Sequence, residues 1–191
     1  MLRLRMRTET CLDEPDADEG LITWLDVEAV DDRDDLEVAA GRASVAIIHV
    51  AVAEGELLDG LDADSGELCE LFDVFFDQGG LREGLAEGFG HDVLYVRGME
   101  IEAPYATRNL DFAIVRRLAD TVGQGCELVV MRSESPEHCR RWEQIGFRRT
   151  RPANDAGWMH LHMAYLQPRV VDSEGTFHAV AAPAGPSRKL H

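Results

Sequence analysis

The chain has 191 residues, 45% of them hydrophobic and 29% charged, the balance of a folded protein with one ordinary core. Asp and Glu number 36 against 19 Lys and Arg, and the resulting net charge of −17 repels phosphate backbones and excludes general nucleic-acid binding. No apolar run approaches the roughly 20 residues of a bilayer span, which sets the membrane class aside.

In chain order, Leu2 to Arg7 alternates apolar and basic side chains, which predicts a strand with one wet face. A secretory signal would need a continuous apolar segment at this place, so a cytoplasmic protein is expected. Cys11 to Gly20 reads as an acidic connector, Leu21 to Val30 as an extended segment, and Asp31 to Glu37 as a turn-rich, solvated charge run. Ala43 to Val52, rich in Val and Ile, predicts a buried strand. Asp64 with Glu67 three residues on has the form of a capping box. Leu68, Leu71, Phe72 and Phe75 then make one apolar helical stripe. Leu81 to Phe89 reads as a second short helix, and Phe72, Phe75, Phe76 and Phe89 as core aromatics.

Asp92 to Glu102 predicts a strand interrupted by Gly98, a bulge or close-approach position. Leu110 to Val122 predicts a helix with Leu110, Ala113, Ile114 and Leu118 on one face, closed by Gly123 and Gly125. Cys126 to Met131 reads as a short buried strand. Ser135 caps a helix whose first residue is Pro136, and Gly146 ends it. Trp158 to Leu166 reads as the last strand. Past Gln167, Gly, Pro, Ala and Ser dominate, which predicts a loose tail. The expected fold class is α/β (α+β mixed sheet), a central twisted mixed β-sheet flanked by helices, with one domain over 1–166 and a tail over 167–191. The strand before the Leu110 helix and the strand after it should run parallel, with a right-handed crossover.

The stretch Met99-Glu-Ile-Glu-Ala-Pro-Tyr-Ala-Thr-Arg-Asn-Leu-Asp-Phe-Ala-Ile-Val resembles the central motif of the GNAT superfamily of N-acetyltransferases, where a strand ending V-D-P-x-Y meets R-G-x-G-x-G and then a helix. Cys139-Arg-Arg-Trp-Glu-Gln-Ile-Gly-Phe-Arg is similar to the superfamily's Y-x-x-x-G-F signature, with Trp142 at the tyrosine place. The resemblance implies acetyl-CoA as cofactor. Met99, Glu100 and Ile101 would hold its pantetheine arm along a strand splayed from its neighbour. Ala106, Thr107, Arg108, Asn109, Leu110 and Asp111 would line its pyrophosphate at a helix N-terminus. Glu100 or Glu102 would serve as base, directly or through water.

The same loop departs from the pattern. Ala106 stands for an arginine, and Thr107, Asn109 and Asp111 stand for glycines, which leaves Arg108 as the loop's one cation. Asp111 satisfies the helix dipole itself and opposes a phosphate. Trp142 has no acidic proton to give a departing thiolate and reads as a core aromatic.

Two functions stay open on these residues. One is an acetyl-CoA-dependent N-acetyltransferase acting on a small or peptidic amine, cationic because the surface is acidic. The other is a non-catalytic scaffold of the same fold that binds a partner and no longer binds acetyl-CoA. Neither calls for nucleic acid or membrane, and a homodimer is left open.

The remaining reactive residues have plainer readings. Four cysteines, Cys11, Cys69, Cys126 and Cys139, lack C-x-x-C spacing and read as reduced thiols, with Cys126 and Cys139 as buried small hydrophobes. His160 and His162 share one strand face, a metal-ligand spacing without a third ligand, so no metal site is assigned. Arg140, Arg141, Arg148, Arg149 and Arg151 form the densest basic cluster, a solvated face or a contact for the 3′-phosphate of CoA. Lys189 is the sole lysine, which fits either genomic bias or a use of guanidinium forks.

Overall fold

The computed structural model describes residues 1–8, 20–33, 36–52, 57–77, 80–88, 90–133, 135–150, 157–165 and 167–182. Expectations for Cys11, Phe89, Arg151 and Leu166 lie outside these residues. The first three strands are β1 (Leu2–Arg7), β2 (Ile22–Arg33) and β3 (Leu36–Ile48). They are followed by α1 (Leu57–Asp64), α2 (Gly66–Phe75) and the short pair β4 (Phe76–Asp77) and β5 (Gly80–Leu81). Then come β6 (Asp92–Ile101), α3 (Leu110–Thr121), β7 (Cys126–Arg132), α4 (Pro136–Glu143), β8 (Arg148–Arg149) and β9 (Trp158–His162). A hairpin of β10 (Arg169–Ser173) and β11 (Thr176–Val180) completes the described elements.

Seven strands form one mixed sheet in the order β1-β2-β3-β6-β7-β9-β8. Only β6 and β7 run parallel, joined across α3, while every other neighbouring pair is antiparallel. The fold class is therefore the mixed α/β sheet with flanking helices that the alternating strand and helix periods predict. Strand alternation sends side chains to two separate cores. Leu94, Val96, Val129 and Met131 pack with α3 and α4 on one face. Val93, Tyr95, Leu128 and Val130 pack with α1 and α2 on the other. No helix among the described residues is long and apolar enough to cross a membrane.

Several expectations need correction. The charge run Asp31 to Glu37 is strand up to Arg33 and from Leu36, and Asp31 is buried at 4% exposure. It is held there because its carboxylate accepts a hydrogen bond from the Tyr105 hydroxyl at 2.9 Å. The strand read as Ala43 to Val52 ends at Ile48, with Val50–Val52 a 3₁₀ turn. The α2 cap is Ser65, whose hydroxyl accepts from the Leu68 amide, because Asp64 still belongs to α1 and accepts from the Trp24 indole at 2.9 Å.

No helix forms over Leu81–Gly88. The backbone N–H groups of Glu87, Gly88 and Gly90 converge instead on the buried Glu127 carboxylate, at 2.9, 2.5 and 3.1 Å. A Cβ on Gly90 would lie 2.4 Å from the Cys126–Glu127 backbone, so this close approach requires glycine. The expected loose tail is ordered over 169–180 as the β10–β11 hairpin, and β9 ends at His162. The expected irregularity at Gly98 falls one residue earlier, where Arg97 is the extra residue of a bulge against Ser44 and Val45.

Candidate functional site

The site is built where β6 outruns its parallel neighbour. The β6–β7 ladder ends at Val96 and Met131, whereas β6 continues to Ile101 with partners only in β3. Among the described residues, Gly98 to Ile101 therefore keep a free backbone edge on the β7 side. The Arg97 bulge resets the alternation beyond it. Met99 and Ile101 lean on the α3-side core, while Glu100 turns to the opposite face.

Glu100 lines a cleft of about 490 Å³ with Asp26 on β2, Glu67 on α2, and Arg42, Ser44 and Arg97. Arg97 is drawn to Glu67 at 3.4 Å and lies over the Trp24 ring at 5.4 Å. Three carboxylates against two guanidiniums leave this cleft net negative, the charge that concentrates a cationic ligand. Glu102 does not share the cleft. It follows the last residue of the strand, donating its N–H to the Ala40 carbonyl and accepting from the Tyr105 amide at its own carbonyl, with its side chain exposed. Both carboxylates singled out in the sequence are exposed, and of the two only Glu100 lines this open cleft.

The loop from Ala103 to Arg108 is a 3₁₀ turn, and Asn109 follows in the left-handed region at φ 51°, a conformation asparagine tolerates. Ala106 and Thr107 are exposed on this turn. Each polar side chain after them already has a protein partner. The Arg108 guanidinium donates to the Gly175 carbonyl and lies 5.2 Å from the Tyr105 ring centre. Asn109 donates to the Phe177 carbonyl at 2.9 Å and accepts from Arg141 at 3.1 Å. Asp111, in the first turn of α3, takes both arms of Arg141, one at 2.6 Å. Arg141 also lies over the Phe112 ring at 4.2 Å. Leu110 is buried in the core.

Fit to acetyl-CoA therefore divides. The free edge of β6 offers backbone donors and acceptors of the kind an amide-bearing arm pairs with. The helix N-terminus, by contrast, is covered by an ion pair and a hairpin, so a pyrophosphate there needs Arg141 to leave Asp111.

Trp142 is 1% exposed and packs between Phe112 and Phe147, with ring centres 5.3 and 5.6 Å away, and its N–H is given to His138 at 3.0 Å. It is a core residue. The basic cluster is not one patch. Arg149 pairs with Glu143 at 3.1 Å and Arg148 covers Tyr165, and among the described residues of the cluster only Arg141 reaches the loop. Cys126 and Cys139 are buried, and burial pushes the Cys126 thiol up to about 12. His160 hydrogen-bonds Thr150 at 2.8 Å and packs against Phe75, and His162 lies 3.5 Å from Glu127. Sequence reasoning offered Arg141 only as part of a basic cluster that could meet the 3′-phosphate of CoA, and it missed the pairing of Arg141 with Asp111, the hairpin carbonyls and Glu127. The partners in these contacts are 30 to 68 residues apart in the chain.

No protein-family model matches the chain, and no curated protein does. Among solved structures it is similar to the polyamine N-acetyltransferase of Drosophila melanogaster, an enzyme that catalyses the formation of N-acetylagmatine. The likeness has 14% sequence identity and a TM-score of 0.40, and it covers 72% of this chain and 74% of that one. A likeness of that extent leaves the function to be read from the site's own geometry.

Proposed function

We propose that the chain is an N-acetyltransferase of the cytoplasm that acetylates a cationic small or peptidic amine. The observation that carries this reading is the end of β6. Its one edge is free for an extended amide-bearing arm, and its other face holds Glu100 in an acidic cleft. Acetyl-CoA would supply an activated acetyl thioester. Met99, Glu100 and Ile101 would hold its arm through their backbone, and residues 106–111 with Arg141 would face its phosphates. Asp26, Glu67 and Glu100 attract the ammonium form of the amine, and Glu100 then accepts its proton, directly or through water, so that the neutral amine carries a lone pair. Calorimetry with acetyl-CoA tests the reading first, followed by free-thiol release in the presence of agmatine or a lysine peptide. Absence of both heat and thermal stabilisation at millimolar acetyl-CoA would remove it.

A specific observation favours a second reading, a non-catalytic scaffold of the same fold. Arg108, Asn109, Asp111 and Arg141 are all engaged with protein groups at the place where a pyrophosphate would lie. Packing depends on apolar faces and can persist after a site has changed. In that case the acidic cleft binds a basic partner without turnover, and the wild-type chain ignores acetyl-CoA.

A further inference from the structure

A separate cavity lies on the far side of α3 from α4, and of the residues 99–102 and 106–111 it includes only Leu110. It forms because one helix, about 10 Å across, covers about two strands spaced near 4.8 Å, whereas the sheet runs on through β3, β2 and β1. Among the described residues the β1 edge of this face is only partly covered, with Met6 exposed, and the β10–β11 hairpin roofs part of it from the α3 side. The cleft measures about 800 Å³, within the range of small-molecule sites. Leu4 and Met6 form its floor, Ala113 and Ile114 one wall, and Val170 and Phe177 the roof.

Its charges run against those of the chain. The lining holds Arg3, Arg116, Arg117 and Arg169 but a single carboxylate, Asp120, in a protein of net charge −17. Arg3 is taken by Asp32 at 3.0 Å and Glu37 at 2.9 Å. Arg116 neutralises Asp120 at 2.7 Å, yet its Nη1 is sealed from solvent and has no hydrogen-bond partner among the described residues. Arg117 and Arg169 have no ion-pair partner among the described residues. Asp120 and the C-terminal end of α3 oppose an anion, but the first is already paired and the second faces two unpaired guanidiniums.

We propose that this cleft binds a small amphipathic carboxylate, an unbranched apolar body along α3 with its anionic head held by Arg117 and Arg169. The apolar walls supply the burial and the guanidinium forks select the carboxylate. A second copy of the chain fits less well, because two-fold docking on this face brings like-charged arginine sets together.

Calorimetric titration of the full chain with decanoate, decanol and decylammonium tests the proposal. Decanoate binds in the micromolar range, decanol at least tenfold more weakly, and decylammonium not at all. The double reversal R117E/R169E, on exposed side chains, weakens decanoate at least tenfold without changing the melting temperature. Ala113→Trp fills the cleft and abolishes binding. Equal affinity for all three probes, unchanged decanoate binding by R117E/R169E, or a dimer in sedimentation that Ala113→Trp dissolves would each overturn it.

Discussion

Replacing Asp111 with Asn removes one charge at nearly constant shape and separates what that carboxylate does for the fold from what it does to the site. In the native chain it takes a two-armed contact from Arg141, whose guanidinium also rests on Phe112 at 4.2 Å. The side chains are 31% and 14% exposed, between the solvated and buried extremes. Exposed pairs contribute about 0–1 kcal/mol, and breaking a buried one costs about 3–5 kcal/mol. An intermediate pair, together with the lost favourable charge in the first turn of α3, gives a destabilisation of about 2 kcal/mol. For a chain of this length that lowers the melting temperature by about 4–8 °C. Urea unfolding followed by tryptophan fluorescence measures it, and a double-mutant cycle with Arg141→Gln isolates the pair. The same substitution frees Arg141 and removes the anion facing a pyrophosphate, so acetyl-CoA affinity rises by about tenfold, or about 1.4 kcal/mol. Stability and ligand affinity thus move in opposite directions. A coupling energy near zero in the cycle, or an affinity that falls along with stability, would refute the reasoning.

Four further outcomes are expected. Burial, with the nearby His162 and Arg148 charges adding to it, pushes the His160 imidazole down to about 4 from an ordinary value near 6.5. The unfolded chain therefore binds the proton first, and stability falls between about pH 6.5 and pH 4 by on the order of 3 kcal/mol. Urea midpoints at pH 7 and 4.5 measure this, and His160→Gln should flatten the slope. Trp142→Ala costs about 3–5 kcal/mol as a core cavity, while Trp142→Phe costs less and leaves kcat unchanged, which a proton-donating role would not predict. Cys126, buried and held as a thiol, reacts with Ellman's reagent only on unfolding, so rapid labelling of Cys126 in the folded chain would contradict its packing. If Glu100 is the base, Glu100→Gln lowers kcat by about 10²–10⁴-fold while Glu102→Gln changes it little, and equal effects would show that the concave placement of Glu100 does not matter.

The hairpin corrects the reading of the chain past Gln167 as a loose tail. Gly175 sits at φ 81° in its turn, and a Cβ there would lie 2.7 Å from the Arg108 guanidinium. The turn thus favours glycine for its positive φ, and a larger residue would also push the Arg108 guanidinium aside. Through that contact and Asn109, the hairpin is fastened to the entry of α3 and bounds both the candidate site and the carboxylate cleft.

The elements read correctly from the sequence are those whose signal is local. β1, β7 and α3 follow from side-chain periods of 2 and 3.6 within one segment, and α4 starts where the Ser135 hydroxyl accepts the His138 N–H and Pro136 has no N–H to leave unpaired. Glu100 was legible as a carboxylate at a strand end, but its separation from Glu102 was not. That separation depends on where β3 stops pairing and how the Arg97 bulge turns the faces. The charge run at Asp31, the supposed helix at Leu81 and the supposed tail past Gln167 were misread for a common reason. Each is ordered by a partner far away in the chain: Tyr105 at a separation of 74 residues, Glu127 at 37 to 40, and Arg108 and Asn109 at 67 and 68. Local periods are a property of a segment's own covalent geometry, so the sequence determined them by itself. The burial of Asp31 and Glu127, and the closing of the loop by Arg141, were decided only when the sheet order brought those partners within hydrogen-bonding distance and removed the water that would otherwise have satisfied them.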